Sequence, residues 1–149
     1  MARYEYERSI NASPDACYAL FTDLDRVQEI SSEVVEMSKT NDMGFEPGMT
    51  FTCTRQMMGK NHTESLEVET AEPGKSYSIG CESCGGKWVS SYVFTPEGSG
   101  THVRMEMDCT PRSLLAKITM PITSLLFSGM VNKSINKELD ELKAACEAG

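Results

Sequence analysis

The feature that most constrains the fold is a series of alternating segments joined by very short turns. Polar and apolar residues alternate along six segments, at 33–40, 47–58, 61–72, 75–83, 86–96 and 101–110. Turn-forming pairs such as Pro73-Gly74 and Gly85-Gly86 separate them. Connections this short permit only antiparallel neighbours, because a parallel crossover needs about a dozen residues or more. The pattern therefore predicts an antiparallel sheet.

One strand and two short helices are predicted before this series. Residues 3–10 alternate in the same way and indicate a half-buried strand. Ser13 and Pro14 then form a helix start, since serine caps free backbone N–H groups and proline suits the first turn. Apolar residues recur every three or four positions up to Leu24, and a second short helix is predicted at 27–30.

A long apolar helix is predicted at the end of the chain. It covers Leu114 to Leu142, and Thr110-Pro111 has the composition of its capped start. Pro121 lies inside this segment, so we expect two helical pieces meeting there, because proline removes a backbone hydrogen bond. Strands followed by helices define the α+β class.

Length and charge limit the remaining possibilities. The 149 residues predict a single domain over 1–149, and 40% apolar residues are typical of a globular core. The formal charge of −8 opposes binding to a phosphate backbone, so no nucleic-acid partner is expected. The first ten residues lack the apolar run of a signal peptide, and 114–131 is short for a membrane span. We therefore expect a cytoplasmic protein without a transmembrane segment.

The order of one strand, two short helices, six strands and a terminal helix resembles the START-like superfamily, also called Bet v 1-like or SRPBCC, which includes polyketide cyclases and dehydrases. The resemblance covers the whole chain. It is carried by fold markers rather than catalytic motifs: Ile10-Asn11-Ala12-Ser13-Pro14, Phe21-Thr22-Asp23-Leu24, Gly48, Glu72-Pro73-Gly74-Lys75, Tyr92-Val93-Phe94-Thr95-Pro96 and Gly100-Thr101-His102-Val103.

The resemblance implies a helix-grip fold, in which a curved sheet of about seven strands surrounds the C-terminal helix. It also implies an apolar cavity between them that binds lipids, sterols or polyketides. Strand periodicity then gives the residues expected to line it. These are Tyr6, Arg8, Phe51, Arg55, Leu66, Tyr77, Trp88, Tyr92, Met105 and Met107 on the strands, with Ile118, Ile122 and Leu125 on the helix. The alternative is that these side chains simply fill a core.

Two arginines stand out among these inward positions. Our hypothesis is that Arg8 or Arg55 orients a ligand carboxylate or carbonyl at one end of the cavity. Alternatively, both arginines lie at strand ends and reach water past the sheet edge.

An enzymatic interpretation uses His62 and Glu64, which share one face of a strand. They could act as an acid/base pair for aldol cyclisation or dehydration in the cavity. The alternative is a solvent-exposed histidine next to a turn. The sequence contains no phosphate-binding loop, nucleophile elbow or zinc-protease motif.

Cys81 and Cys84 have a recognised spacing, but one such pair is only half of a zinc site. A redox pair would normally start a helix, whereas a hairpin is expected here. We therefore expect no metal and no cofactor, and turn chemistry for this pair. The segment 114–131 is apolar on nearly all sides. Two interpretations therefore remain: the helix forms a homodimer interface, or it is buried within the fold.

Overall fold

The computed structural model describes the backbone of residues 2–57, 59–83, 86–111 and 114–148. Within these ranges it describes no side chain at 2, 57, 83, 111–128, 130 and 131. The elements follow in the order β1 (Ala2–Ile10), α1 (Pro14–Phe21), α2 (Leu24–Ile30), β2 (Val34–Lys39), β3 (Thr50–Met57), β4 (Lys60–Glu72), β5 (Ser76–Ser83), β6 (Gly86–Glu97), β7 (Gly100–Pro111) and α3 (Leu114–Ala148).

The strands form one seven-stranded antiparallel sheet in the order β1-β7-β6-β5-β4-β3-β2. The predicted α+β class and the predicted strands are confirmed. Short turns account for the antiparallel pairing between consecutive strands from β3 to β7, whereas the longer segment 40–49 connects β2 to β3. At the β4–β5 turn, Gly74 has a φ of +76°, in the region that favours glycine.

The two short helices begin as the sequence predicts. Ser13 Oγ accepts the backbone N–H of Ala16 at 3.2 Å, and Pro14 occupies the first turn of α1. Asp23 caps α2 in the same way through the N–H of Arg26, also at 3.2 Å. This cap starts α2 at Leu24, three residues before the predicted start.

Two predictions about the last helix are wrong. Thr110 and Pro111 do not open it, because β7 continues through Pro111, which pairs with Gly86. Proline is tolerated at a strand end as well as in a first helical turn, so the motif alone is ambiguous. Moreover, α3 is continuous from Leu114 to Ala148, without a division at Pro121. Proline removes one backbone hydrogen bond, and the rest of the helical ladder remains.

The main core lies between the sheet, the two short helices and the end of α3. Leu139, Leu142 and Cys146 of α3 are buried there. Six aromatic rings pack by edge-to-face and stacked contacts, namely Tyr18, Phe21, Phe45, Tyr77, Tyr92 and Phe94. A second cluster contains Met49, Phe51 and Val68. Both clusters are on the inner side of the sheet.

Candidate functional site

A cavity of about 300 Å³ lies between the inner face of the sheet and α3. Its wall combines aliphatic, aromatic and thioether groups with a few polar ones. The lining residues are Arg55, Glu64, Leu66, Ile79, Cys81, Trp88, Ser90, Tyr92, Met105, Met107, Ser134, Ile135 and Glu138.

Strand register explains why these residues meet. Leu66, Cys81 and Trp88 are directly opposite one another on β4, β5 and β6. The next inward row contains Ile79, Ser90 and Met107. Side chains two positions apart on a strand share a face, so consecutive inward rows build one continuous wall.

An ion pair between the sheet and α3 supplies the main charged contact of the wall. Arg55 Nη2 on β3 donates to Glu138 Oε1 on α3 at 2.9 Å. The Glu138 carboxylate raises the pKa of Arg55, although burial acts in the opposite direction. The guanidinium therefore stays charged, and Glu138 compensates this charge directly.

Tyr92 gives the wall a flat, neutral surface. Its ring stacks on that of Tyr77 with centroids 4.6 Å apart and an interplanar angle of 16°. Burial raises the pKa of the Tyr92 hydroxyl, and the nearby Glu138 carboxylate raises it further, whereas Arg55 lowers it. Burial likewise raises the pKa of Tyr77. Both phenols therefore remain protonated at neutral pH.

Glu64 lies on the exposed rim of the cavity. Its Oε2 accepts a hydrogen bond from Cys81 Sγ at 3.6 Å. Among the described residues, no lysine, arginine or histidine forms an ion pair with Glu64. The rim thus presents a carboxylate whose negative charge is not compensated by any described cationic side chain.

Six of the ligand-binding candidates from the sequence lie together on the cavity wall: Arg55, Leu66, Trp88, Tyr92, Met105 and Met107. Ile118, Ile122 and Leu125 are among the residues whose side chains are not described. The positions 114–131, on which the homodimer hypothesis depends, are outside the described side chains except at position 129.

Four candidates do not line the cavity, for identifiable reasons. The hydroxyl of Tyr6 donates to Asn132, and Arg8 Nε pairs with Asp140 at 2.8 Å. Phe51 is buried between other residues of the second cluster. The ring of Tyr77 is covered by neighbouring aromatic rings.

The proposed acid/base pair is divided by the structure. Glu64 lines the cavity, whereas His62 is exposed and pairs with Arg55 across the strands without lining it. Sequence reasoning missed Cys81, Ser134, Ile135 and Glu138 as wall residues. The alternation of Tyr77, Ile79 and Cys81 could have identified Cys81, but no sequence signal shows which turn of α3 faces the sheet.

Two other kinds of feature are absent from the described ranges. No group of three or more histidine, cysteine, aspartate or glutamate side chains there is arranged to hold a metal ion. No helix among those residues is both long enough and apolar enough to cross a membrane.

Similar solved structures share this fold at low sequence identity. A protein from Thermus thermophilus is 22% identical, with a TM-score of 0.75 over 99% of this chain and 98% of that one. The di-domain ARO/CYC protein StfQ from the steffimycin biosynthetic pathway gives a TM-score of 0.80 at 14% identity, over 98% of this chain and 51% of its own. Ara h 8.0201 gives 0.70 at 10% identity, over 99% of both chains. The predicted helix-grip fold is confirmed.

No protein with a curated description matches the chain. The profile of the family described as "Polyketide cyclase / dehydrase and lipid transport" matches residues 1–147, which is nearly the whole sequence. The chain therefore belongs to the polyketide cyclase/dehydrase and lipid transport family.

Proposed function

We propose that this protein binds a hydrophobic small molecule in the cavity between the sheet and α3. The observation that carries the proposal is a largely apolar wall with a few polar groups, among them the ion pair of Arg55 and Glu138. The cavity volume of about 300 Å³ is at the lower end of the range for small-molecule pockets. It equals the volume of about ten water molecules in the liquid, so it suits a compact lipid or polyketide fragment.

Arg55 is the residue that we propose to orient the ligand. A guanidinium has five N–H donors, and the contact with Glu138 uses only Nη2. The remaining donors suit a ligand carbonyl oxygen. Arg8, the other sequence candidate, is held outside the cavity wall by Asp140 and Asn136.

The proposal includes a single domain over 1–149 and a cytoplasmic location without a nucleic-acid partner. Cys17, Cys53 and Cys146 are buried thiols that form no disulfide, as is usual in a reducing compartment. The formal charge of −8 supports the expectation of no nucleic-acid partner.

Arg55→Met and Arg8→Met form a matched test, because each arginine pairs with a carboxylate of α3 but only Arg55 lines the cavity. The probe is 2-nonanone, an uncharged ketone, and its affinity is measured by the fluorescence of Trp88, the only tryptophan. Losing one charged hydrogen bond should weaken binding by about ten-fold in Arg55→Met. Equal affinity in Arg55→Met and Arg8→Met would contradict the assigned role of Arg55.

Native mass spectrometry of the purified protein gives a second, independent test. A hydrophobic ligand retained from the cell would appear as one discrete added mass per chain and would be released on denaturation. Failure of both this adduct and 2-nonanone binding would contradict the proposed function itself.

A second candidate function is cyclisation or dehydration in the same cavity. The observation that favours it is the carboxylate of Glu64 on the cavity rim, where a general base could reach a bound ketone. The test substrate is 4-hydroxy-2-nonanone, which loses water to give an unsaturated ketone. Turnover that disappears in Glu64→Gln would support this function, and turnover that survives both Glu64→Gln and His62→Ala would exclude the pair.

A further inference from the structure

We propose that the cavity prefers ligands that carry a protonated amine, held at the rim between Glu64 and Trp88. This inference rests on the proposed function, because it names a ligand class for the same cavity. It concerns the charge of the ligand, which the apolar wall alone does not specify.

The described part of the cavity wall carries a net negative charge. Three charged side chains line it among the described residues: Arg55, Glu64 and Glu138. Arg55 and Glu138 compensate each other at 2.9 Å. The carboxylate of Glu64 therefore gives this part of the wall a net charge of −1.

The carboxylate of Glu64 contacts the thiol of Cys81. The thiol of Cys81 donates a hydrogen bond to Oε2 and orients the carboxylate, but a neutral thiol does not compensate its charge. A ligand ammonium group would supply the cation that this carboxylate lacks among the described residues. An anionic ligand would instead meet two carboxylates and an arginine that is already paired.

An aromatic ring lines the same cavity as this carboxylate. Trp88 is directly opposite Cys81 on the neighbouring strand, and its half-buried side chain lines the same cavity. A cation over a tryptophan ring is attracted by the negative face of the ring. Glu64 and Trp88 thus combine the two contacts that favour an ammonium group, while Leu66 and Met107 provide an apolar surface for its hydrocarbon part.

The charge of the whole chain acts in the same direction. A formal charge of −8 attracts cationic ligands and repels anionic ones at long range. Because Glu64 lies on the exposed rim, salt should screen its contribution.

Three probes with the same eight-carbon chain test the proposal: octylamine, 1-octanol and octanoate, titrated at pH 7.4 with the fluorescence of Trp88 as the signal. Octylamine is protonated at this pH, as lysine is. We expect octylamine to bind about ten-fold more tightly than 1-octanol, and octanoate more weakly than either. Raising the salt concentration should reduce the preference for the amine.

Glu64→Gln and Glu67→Gln remove the same charge from the same strand, but Glu67 is on the outer face and does not line the cavity. Glu64→Gln should lose most of the preference for octylamine and keep its affinity for 1-octanol, whereas Glu67→Gln should keep both. Equal binding of octylamine and 1-octanol by the unmodified protein would overturn the inference and leave the proposed function intact. An unchanged amine preference in Glu64→Gln would also overturn it. Failure of all three probes to bind would contradict the proposed function as well.

Discussion

Removing one partner of the Arg55–Glu138 pair should destabilise the protein more than removing both. Arg55→Met leaves the carboxylate of Glu138, whose side chain is only 14% exposed, without its cation. Glu138→Met leaves the guanidinium of Arg55 unpaired in the same way. The double substitution replaces the pair with two flexible apolar side chains that suit a cavity wall already containing Met105 and Met107.

The magnitude follows from the geometry. Two unit charges 2.9 Å apart attract each other by about 6 kcal/mol at an effective dielectric constant of about 20. Desolvation offsets much of this attraction, and the side chain of Arg55 is 32% exposed, so solvent screens the pair further. We therefore expect each single substitution to lower the free energy of unfolding by about 2–3 kcal/mol. The melting temperature should fall by about 5–10 °C. The double variant should recover most of this loss.

Urea unfolding followed by circular dichroism measures all four members of this double-mutant cycle. Arg8→Met is the control, because Asp140 is 65% exposed and loses little when its partner is removed. We expect that control to change stability by less than about 1 kcal/mol. Additive effects in the cycle, or an equal loss in Arg8→Met, would refute the reasoning from burial.

Three further predictions concern packing and pH. Phe51→Ala should lower the free energy of unfolding, measured in urea, by about 3–5 kcal/mol, because Phe51 is 1% exposed. Val35→Ala, at a 48% exposed position, should lower it by less than about 1 kcal/mol. Equal losses would contradict the core assignment. Gly100→Ala should cost about 1–3 kcal/mol in the same assay, because an added Cβ would lie 2.5 Å from the carbonyl oxygen of Ile10; an unchanged midpoint would be inconsistent with this contact. Burial raises the pKa of the Cys146 thiol from 9.0 to about 12, so the folded state keeps a proton that the unfolded state loses. The free energy of unfolding should therefore fall as pH rises from about 9 to 12. This fall should be smaller in Cys146→Ala, and an identical pH profile in the two proteins would contradict the prediction.

The sheet could be predicted from the sequence because its signals are local. Alternation and short turns specify each strand and its antiparallel neighbour without information from the rest of the chain. The prediction of where α3 begins failed because Thr110-Pro111 fits a strand end and a first helical turn equally well. Pairing of Pro111 with Gly86 at the open end of the β6–β7 hairpin decides between them, and this pairing depends on the whole hairpin rather than on the residues next to Pro111.

The candidate site was only partly predictable for a related reason. Alternation with a period of two predicts which face of a strand a side chain is on, and it correctly predicted that Arg55, Trp88 and Met107 line the cavity. It does not show which inward side chains are covered by others, as Phe51 is by its neighbours. Glu138 was missed because the rotation and translation of α3 against the sheet arise from tertiary packing.

Binding of 1-octanol to Ser90→Phe and Ser91→Phe, measured by isothermal titration calorimetry, tests most directly whether the cavity is the ligand site. These neighbours on β6 have opposite orientations, since Ser90 lines the cavity and Ser91 lines a groove with Glu7 and Val93 on the other face of the sheet. A phenylalanine at 90 should fill the cavity and weaken binding by at least about ten-fold, whereas one at 91 should leave the affinity of the unmodified protein unchanged. Equal affinity in all three proteins would show that the ligand binds elsewhere.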